Sequence, residues 1–229
     1  TRAPYMSCAN ANASRTCSPA NTYSLIEQRT LQRIPEPEDL MNDAAQAQAY
    51  AEADFSEPNT IFVELLEKLG PRQLAGKLLD LGCGPADIPL QLAARHKDLE
   101  IDAVDGAAAM LERAQQRLDA RPDVTGRVRL LCEYLPCPIL PSKHYRYVVS
   151  NSLLHHLEDP RVLWQTVKES ARPGALVLVM DLARPASTTA VDGLVETYAI
   201  DAPEVLRRDF RNSLFAAYTI PEAQDQLSE

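Results

Sequence analysis

From Lys77 onward the chain alternates short apolar runs with amphipathic stretches. The runs are Leu78–Leu81, Ile101–Val104, Val128–Leu131, Tyr147–Ser150 and Ala175–Asp181. Each is too short for a buried helix and reads as a strand. The stretches between them, about 86–95, 107–118 and 160–170, carry apolar residues at helical spacing. Strands with no polar alternation must be covered on both faces, which indicates a parallel sheet between two layers of helices. Ahead of this block, Asp39–Phe55 is Ala-rich and helix-prone. Pro58 is expected to interrupt it, with Asn59 and Thr60 capping a second helix that carries Ile61, Leu65, Leu66 and Leu69 as far as Gly70-Pro71. Residues 25–33 read as a short helix stopped by Pro35 and Pro37. Residues 1–24, rich in Ala, Asn, Ser, Thr and Pro, read as a flexible tail. Three helical patterns follow the last strand, around Thr189–Ala199, Pro203–Ala217 and Pro221–Leu227, with no further strand. The expected organisation is a tail over 1–24, N-terminal helices over 25–70, an α/β core over 71–186 and C-terminal helices over 187–229.

Composition narrows the class. A length of 229 residues with 45% apolar residues suits one domain with peripheral segments. The balance of 23 basic to 32 acidic residues, net −9, argues against general nucleic-acid binding. No run approaches the roughly 18 apolar residues of a membrane span. The five cysteines form no CxxC pair, and an odd count suggests neither a disulfide framework nor structural zinc. No metal is expected. No secretory leader is visible, so a cytoplasmic, reducing setting is expected.

The strongest chemical signal is Leu78-Leu79-Asp80-Leu81-Gly82-Cys83-Gly84-Pro85-Ala86-Asp87. An apolar strand runs into two glycines and then a helix start, and ligands of open α/β sheets sit at such strand ends. A dinucleotide loop would carry glycine where this chain has Asp87. An acid there would repel a pyrophosphate, so a NAD-dependent oxidoreductase is disfavoured. No Lys-Ser/Thr follows, which excludes a Walker loop. A ligand with cationic groups and no phosphate suits Asp80 and Asp87 better. S-adenosylmethionine, with an ammonium, a sulfonium and a ribose, is such a ligand. Asp105 ends the second strand 21 residues beyond Gly84, a distance at which an acid meets ribose hydroxyls. Its other reading is a helix cap.

The ordered segments DLGCGP, VDGAAAML, LLCEYLP, VVSNSLLHHLEDP and PGALVLVMDLARP resemble a class I S-adenosylmethionine-dependent methyltransferase. The likeness is to the small-molecule branch of the ubiquinone/menaquinone-biosynthesis type, over about residues 50–185. It implies a Rossmann-like three-layer α/β/α sandwich with a mostly parallel sheet of about five strands in the order 3-2-1-4-5. It also implies roles residue by residue. Asp80, Gly82, Cys83 and Gly84 would line the methionine end of the cofactor. Asp105 would hold the ribose, with Gly106 and Met110 beside the adenine. Glu133 and Tyr134 would cradle the adenine after the third strand. Asn151 and Ser152 would face the sulfonium and the acceptor. Tyr50 and Phe55 belong to a segment that often forms a lid, so the helices over 25–70 are expected to act as one.

Three departures from the family pattern stand out. Ala86 replaces the third glycine of the loop, and Arg146 replaces an acid before the fourth strand. The family also closes its sheet with an antiparallel strand pair beside the fifth strand, and no such pair is visible by Glu229. The fifth strand would then be an open apolar edge, suited to homodimer pairing.

Methyl transfer is an in-line displacement, so alignment and a water-poor pocket are its main requirements. It needs a general base only if the acceptor must lose its proton early. His155 and His156 are the catalytic candidates, and successive helical residues diverge, so one at most would face the pocket. Asp181 either caps the next segment or touches the acceptor. The expected function is methyl transfer to a small-molecule acceptor. The alternative is a shortened, non-catalytic fold that binds S-adenosylmethionine or serves as a dimeric interaction module.

Overall fold

The computed structural model describes the backbone of residues 5–8, and residues 31–37 and 43–228 with their side chains. Six strands form one sheet: β1 (Tyr5–Cys8), β2 (Gly76–Leu81), β3 (Leu99–Asp105), β4 (Val128–Cys132), β5 (Tyr145–Asn151) and β6 (Ala171–Leu182). Their order across the sheet is β1-β6-β5-β2-β3-β4. Strands β2 to β6 are mutually parallel and follow the expected 3-2-1-4-5 order. Among the described residues there are eight α-helices. They are α1 (Ala44–Glu52), α2 (Ser56–Leu69), α3 (Asp87–Arg95), α4 (Ala108–Asp119), α5 (Arg161–Ser170), α6 (Thr188–Tyr198), α7 (Glu204–Ala216) and α8 (Ile220–Ser228). None is long and apolar enough to cross a membrane.

The apolar runs are strands because both sheet faces are covered. Successive side chains of a strand point to opposite faces. Leu78 packs with Phe62, Leu66 and Leu92 of α2 and α3. Its neighbour Leu79 packs on the other face with Leu163, Trp164 and Val167 of α5. Full burial of one such leucine stabilises by about 1.5–3 kcal/mol, so a polar residue inside these runs would be costly. Helices α6 and α7 close a smaller core of Val191, Val195, Leu214 and Phe215 on Leu182, at the end of β6.

Four expectations are corrected. The end of the fifth parallel strand is not open: β1 pairs antiparallel with the last four residues of β6, from Tyr5 opposite Leu182 to Cys8 opposite Val179. The unsatisfied backbone groups of that edge recruit a segment from the front of the chain. The edge offered for a homodimer is thereby shortened at Val179–Leu182, and the tail over 1–24 contains a strand. The remainder of the tail expectation, over 1–4 and 9–24, lies outside the described residues. Pro58 does not interrupt a helix but sits in the first turn of α2, where its missing N–H costs nothing. Residues 31–33, the described part of the helix expected over 25–33, are irregular.

Candidate active site

The turn after β2 is held by backbone conformation and by β3. Gly82 and Gly84 adopt φ of +76° and +50°. The N–H groups of Gly82 and Cys83 both donate to Val104 O, at 2.8 and 3.0 Å, folding the loop over the end of β3. A Cβ on Gly82 would lie 2.9 Å from the Cβ of Leu153, so glycine is required there for space as well as for angle. A Cβ on Gly84 would meet nothing within 4 Å, so this glycine leaves a ligand room to approach the backbone. Ala86, which stands where the family pattern has a third glycine, adopts φ +65°. A left-handed alanine is strained by roughly 1–2 kcal/mol, and that strain sits directly ahead of α3.

Two carboxylates flank this turn. Asp105 Oδ2 accepts the Gly84 N–H at 2.7 Å, and Oδ1 accepts the Ala107 N–H at 2.8 Å. Burial raises its pKa against the opposing pull of those two donors. Asp80 is 2% exposed. Burial, and then the charge of Asp105, push its pKa up to about 8. Two neighbouring acids with no ion-pair partner among the described residues form a place where a cationic ligand is favoured. Asp87 differs, because Arg117 of α4 pairs with it. The Cys83 thiol is driven well above the usual range by burial and by both acids, so it stays protonated and is no nucleophile.

One cleft gathers most of the candidates. Asp80, Gly82, Cys83, Gly84, Asp105, Met110, Asn151 and Ser152 line it together with Tyr50, Phe55 and His156. The rings of Tyr50 and Phe55 lie 4.6 Å apart and form one wall. Asn151 Oδ1 is buried there without a hydrogen-bond partner among the described residues. Ser152 adopts φ +57° and donates its N–H to Met180 O at 2.9 Å. Five candidates are not brought to this wall: Gly106, Glu133, Tyr134, His155 and Asp181. Tyr134 is 63% exposed, and Glu133 is engaged through its N–H with Asp105 O at 3.1 Å. Conversely, Asn59, Pro85, Asp87, Ile88, Ala107 and Leu153 line the cleft without having been singled out as site residues. Asn59 had been read as a cap, but lies one turn inside α2, buried. Pro85 and Asp87 belong to the glycine-loop motif, where the charge of Asp87 was matched to a cationic ligand; Ile88 follows it in the first turn of α3.

Comparison with known proteins agrees with this architecture. Residues 79–177 match a family model described as a methyltransferase domain. The core of the chain is thus similar to a methyltransferase domain. An uncharacterized methyltransferase of Mycobacterium tuberculosis is 33% identical over 108 residues, 47% of this chain and 51% of that protein. Trans-aconitate 2-methyltransferase of Rhodococcus jostii is 32% identical over 120 residues, 52% of this chain and 42% of that protein. The chain thus spans about half, or less, of the length of these relatives. Among solved structures, phosphoethanolamine N-methyltransferase 2 of Haemonchus contortus, in complex with S-adenosylhomocysteine, superposes with a TM-score of 0.61 at 18% identity. That match covers 81% of this chain and 41% of the other, and the likeness is one of fold.

Beside the cleft lies a second polar group. His155 is 3% exposed. Its Nδ1 is 2.5 Å from Asp181 Oδ1, and its backbone N–H donates to Asp181 Oδ2 at 3.2 Å. Leu182 N–H donates to Asp181 Oδ1 at 2.6 Å, so Asp181 serves the histidine and the strand end. Glu36 sits on the other side, with Oε2 2.5 Å from His156 Nδ1 and Oε1 4.0 Å from His155 Nε2. Ser213 Oγ donates to Glu36 Oε1 at 2.5 Å. Sequence reasoning missed Glu36. It lies in the Ile34-Pro35-Glu36-Pro37 stretch, which has no periodicity and no motif.

Proposed function

We propose that the chain binds S-adenosylmethionine in this cleft and transfers its methyl group to a small-molecule acceptor. The observation that carries the reading is the buried Asp80–Asp105 pair beside the open Gly84 turn at the ends of β2 and β3. The cofactor would supply an electrophilic methyl on a sulfonium, with a neutral thioether as leaving group. The residues present fit it. Asp80 would face its cationic methionine end across the glycine turn. The lone pairs of Asp105 left over from Gly84 and Ala107 would accept ribose hydroxyls. Met110 and Ala107 offer apolar surface to the adenine, in place of the expected Glu133 and Tyr134. The unpartnered Asn151 Oδ1 is an acceptor awaiting a donor.

The chain's contribution to the reaction is orientation and water exclusion. Tyr50 and Phe55 would cover the cleft as a lid. His156 and Leu153 mark the acceptor end, and His156 is the candidate catalytic group. His155, sealed behind it and held by Asp181, would act by positioning. The small-molecule acceptor is supported by the Rhodococcus relative, whose name specifies trans-aconitate. The reading of a dimeric interaction module rested on an open fifth strand, and β1 covers the last four residues of that edge. The test is incubation of the chain with methyl-labelled S-adenosylmethionine and a metabolite extract. Label should enter a small organic product. A well-folded sample that labels nothing above a protein-free control overturns the transfer claim.

A further inference from the structure

Three ligand atoms converge at the His156 end of the cleft. Glu36, His155 and His156 each offer one, and all lie within 4.8 Å of one another. We propose that these residues hold a divalent first-row transition cation through Glu36 carboxylate oxygen, His155 Nε2 and His156 Nδ1.

The tautomer of His155 is the first support. Asp181 is held by the backbone N–H groups of His155 and Leu182, and its carboxylate faces His155 Nδ1 at 2.5 Å. A proton on Nδ1 satisfies that contact and leaves the lone pair on Nε2. A carboxylate behind a ligating histidine is the arrangement that orients imidazoles at metal sites. The second support is a gap. His155 Nε2 and Glu36 Oε1 are 4.0 Å apart, beyond a hydrogen bond. An ion bonded to both at about 2.0–2.2 Å would span that separation. The third is the local charge. Arg33 is nearby but spent elsewhere: it donates to Ala216 O, His155 O and Leu157 O and stacks on the Tyr218 ring. It makes no ion pair with Glu36 among the described residues, and the charged or titratable side chains paired with Glu36 and Asp181 there are the two imidazoles. Ser213 Oγ fixes the Glu36 carboxylate from α7.

Two imidazoles and one carboxylate suit zinc, iron, cobalt or manganese rather than calcium. His156 borders the cleft, so open coordination positions would face the acceptor. There the ion would polarise an acceptor oxygen, in place of a free imidazole acting as base. That role rests on the methyltransferase reading; the binding itself does not.

The test is titration of the metal-stripped full chain with cobalt(II) chloride, followed by calorimetry and visible absorption. One equivalent should bind, with d–d bands and no thiolate charge-transfer band. Glu36→Gln, which keeps the Ser213 hydrogen bond, should weaken binding at least tenfold. His156→Asn, at the cleft wall, should do the same if the first variant fails to fold. Asp181→Asn should weaken it by about 10–100-fold with all three ligands present. No binding, a thiolate band, or binding indifferent to these variants overturns the site. A parallel titration with S-adenosylmethionine separates the claims: a chain that takes cobalt but not S-adenosylmethionine keeps this site and loses the methyltransferase reading.

Discussion

Asp105 Oδ2 accepts the Gly84 N–H at 2.7 Å, so the end of β3 grips the turn that ends β2. One carboxylate thereby shapes the loop and lines the cleft at once. Replacing it with asparagine keeps the size and one acceptor but removes the charge. Hydrogen bonds to a charged group contribute about 1.5–3 kcal/mol. Asp105→Asn should therefore weaken S-adenosylmethionine binding by about 10–100-fold in calorimetry. Binding unchanged within twofold would remove Asp105 from the site.

The two loop glycines should fail in different ways. Gly82→Ala forces a Cβ to 2.9 Å from Leu153 at a φ of +76°, so it should lower the melting temperature markedly. Gly84→Ala meets no protein atom within 4 Å, and its strain is limited to the φ of +50°. It should fold, destabilised by only about 1–2 kcal/mol, and lose affinity for S-adenosylmethionine because its methyl enters the cofactor's path. Thermal melts with and without ligand distinguish the two. Equal behaviour of both variants would contradict the assignment.

The buried Asp80 gives the cleft a pH signature. Folded, it keeps its proton up to about pH 8, against 3.8 for the ordinary group. Between these values the folded state binds the extra proton, so this group's contribution to stability falls as pH rises from about 4 to 8. Asp105, also raised, acts in the same direction. A cationic ligand favours the ionised acid, so S-adenosylmethionine should displace a proton at pH 7 and bind more tightly toward pH 8. Calorimetric heats should then depend on the buffer's ionisation enthalpy. In Asp80→Asn that dependence should shrink, and the stability slope should flatten.

The covered edge of β6 makes a separate claim. Deleting residues 1–8 removes β1 and bares the β6 backbone over Val179, Met180, Asp181 and Leu182. The shortened chain should self-associate, seen as a concentration-dependent mass in light scattering. A monomer as soluble as the parent would show that β1 does not protect this edge.

The core was legible because its strands are buried on both faces and therefore read as unbroken apolar runs. Leu78–Leu81 and Tyr147–Ser150 each lie inside the observed strand. The glycine turn was legible because its residue types follow from backbone angles. What the sequence hid depends on tertiary partners. Tyr5–Cys8 has no strong strand pattern and becomes a strand because β6 offers it an unpaired edge. Glu36 gains its meaning from His156 and Ser213, which are far away along the chain. Glu133 and Tyr134 were assigned by position after a strand, yet the chain beyond β4 directs Tyr134 to solvent. His155 and His156, adjacent in sequence, part at a turn that buries the first and leaves the second at the cleft.

The central claim is that the Asp80–Gly84–Asp105 cleft is a S-adenosylmethionine site. Calorimetric titration of the full chain with S-adenosylmethionine tests it most directly. The account predicts one equivalent bound well below millimolar, weakened about 10–100-fold in Asp105→Asn, with no binding of NAD. A folded chain with no affinity for S-adenosylmethionine below millimolar would contradict it.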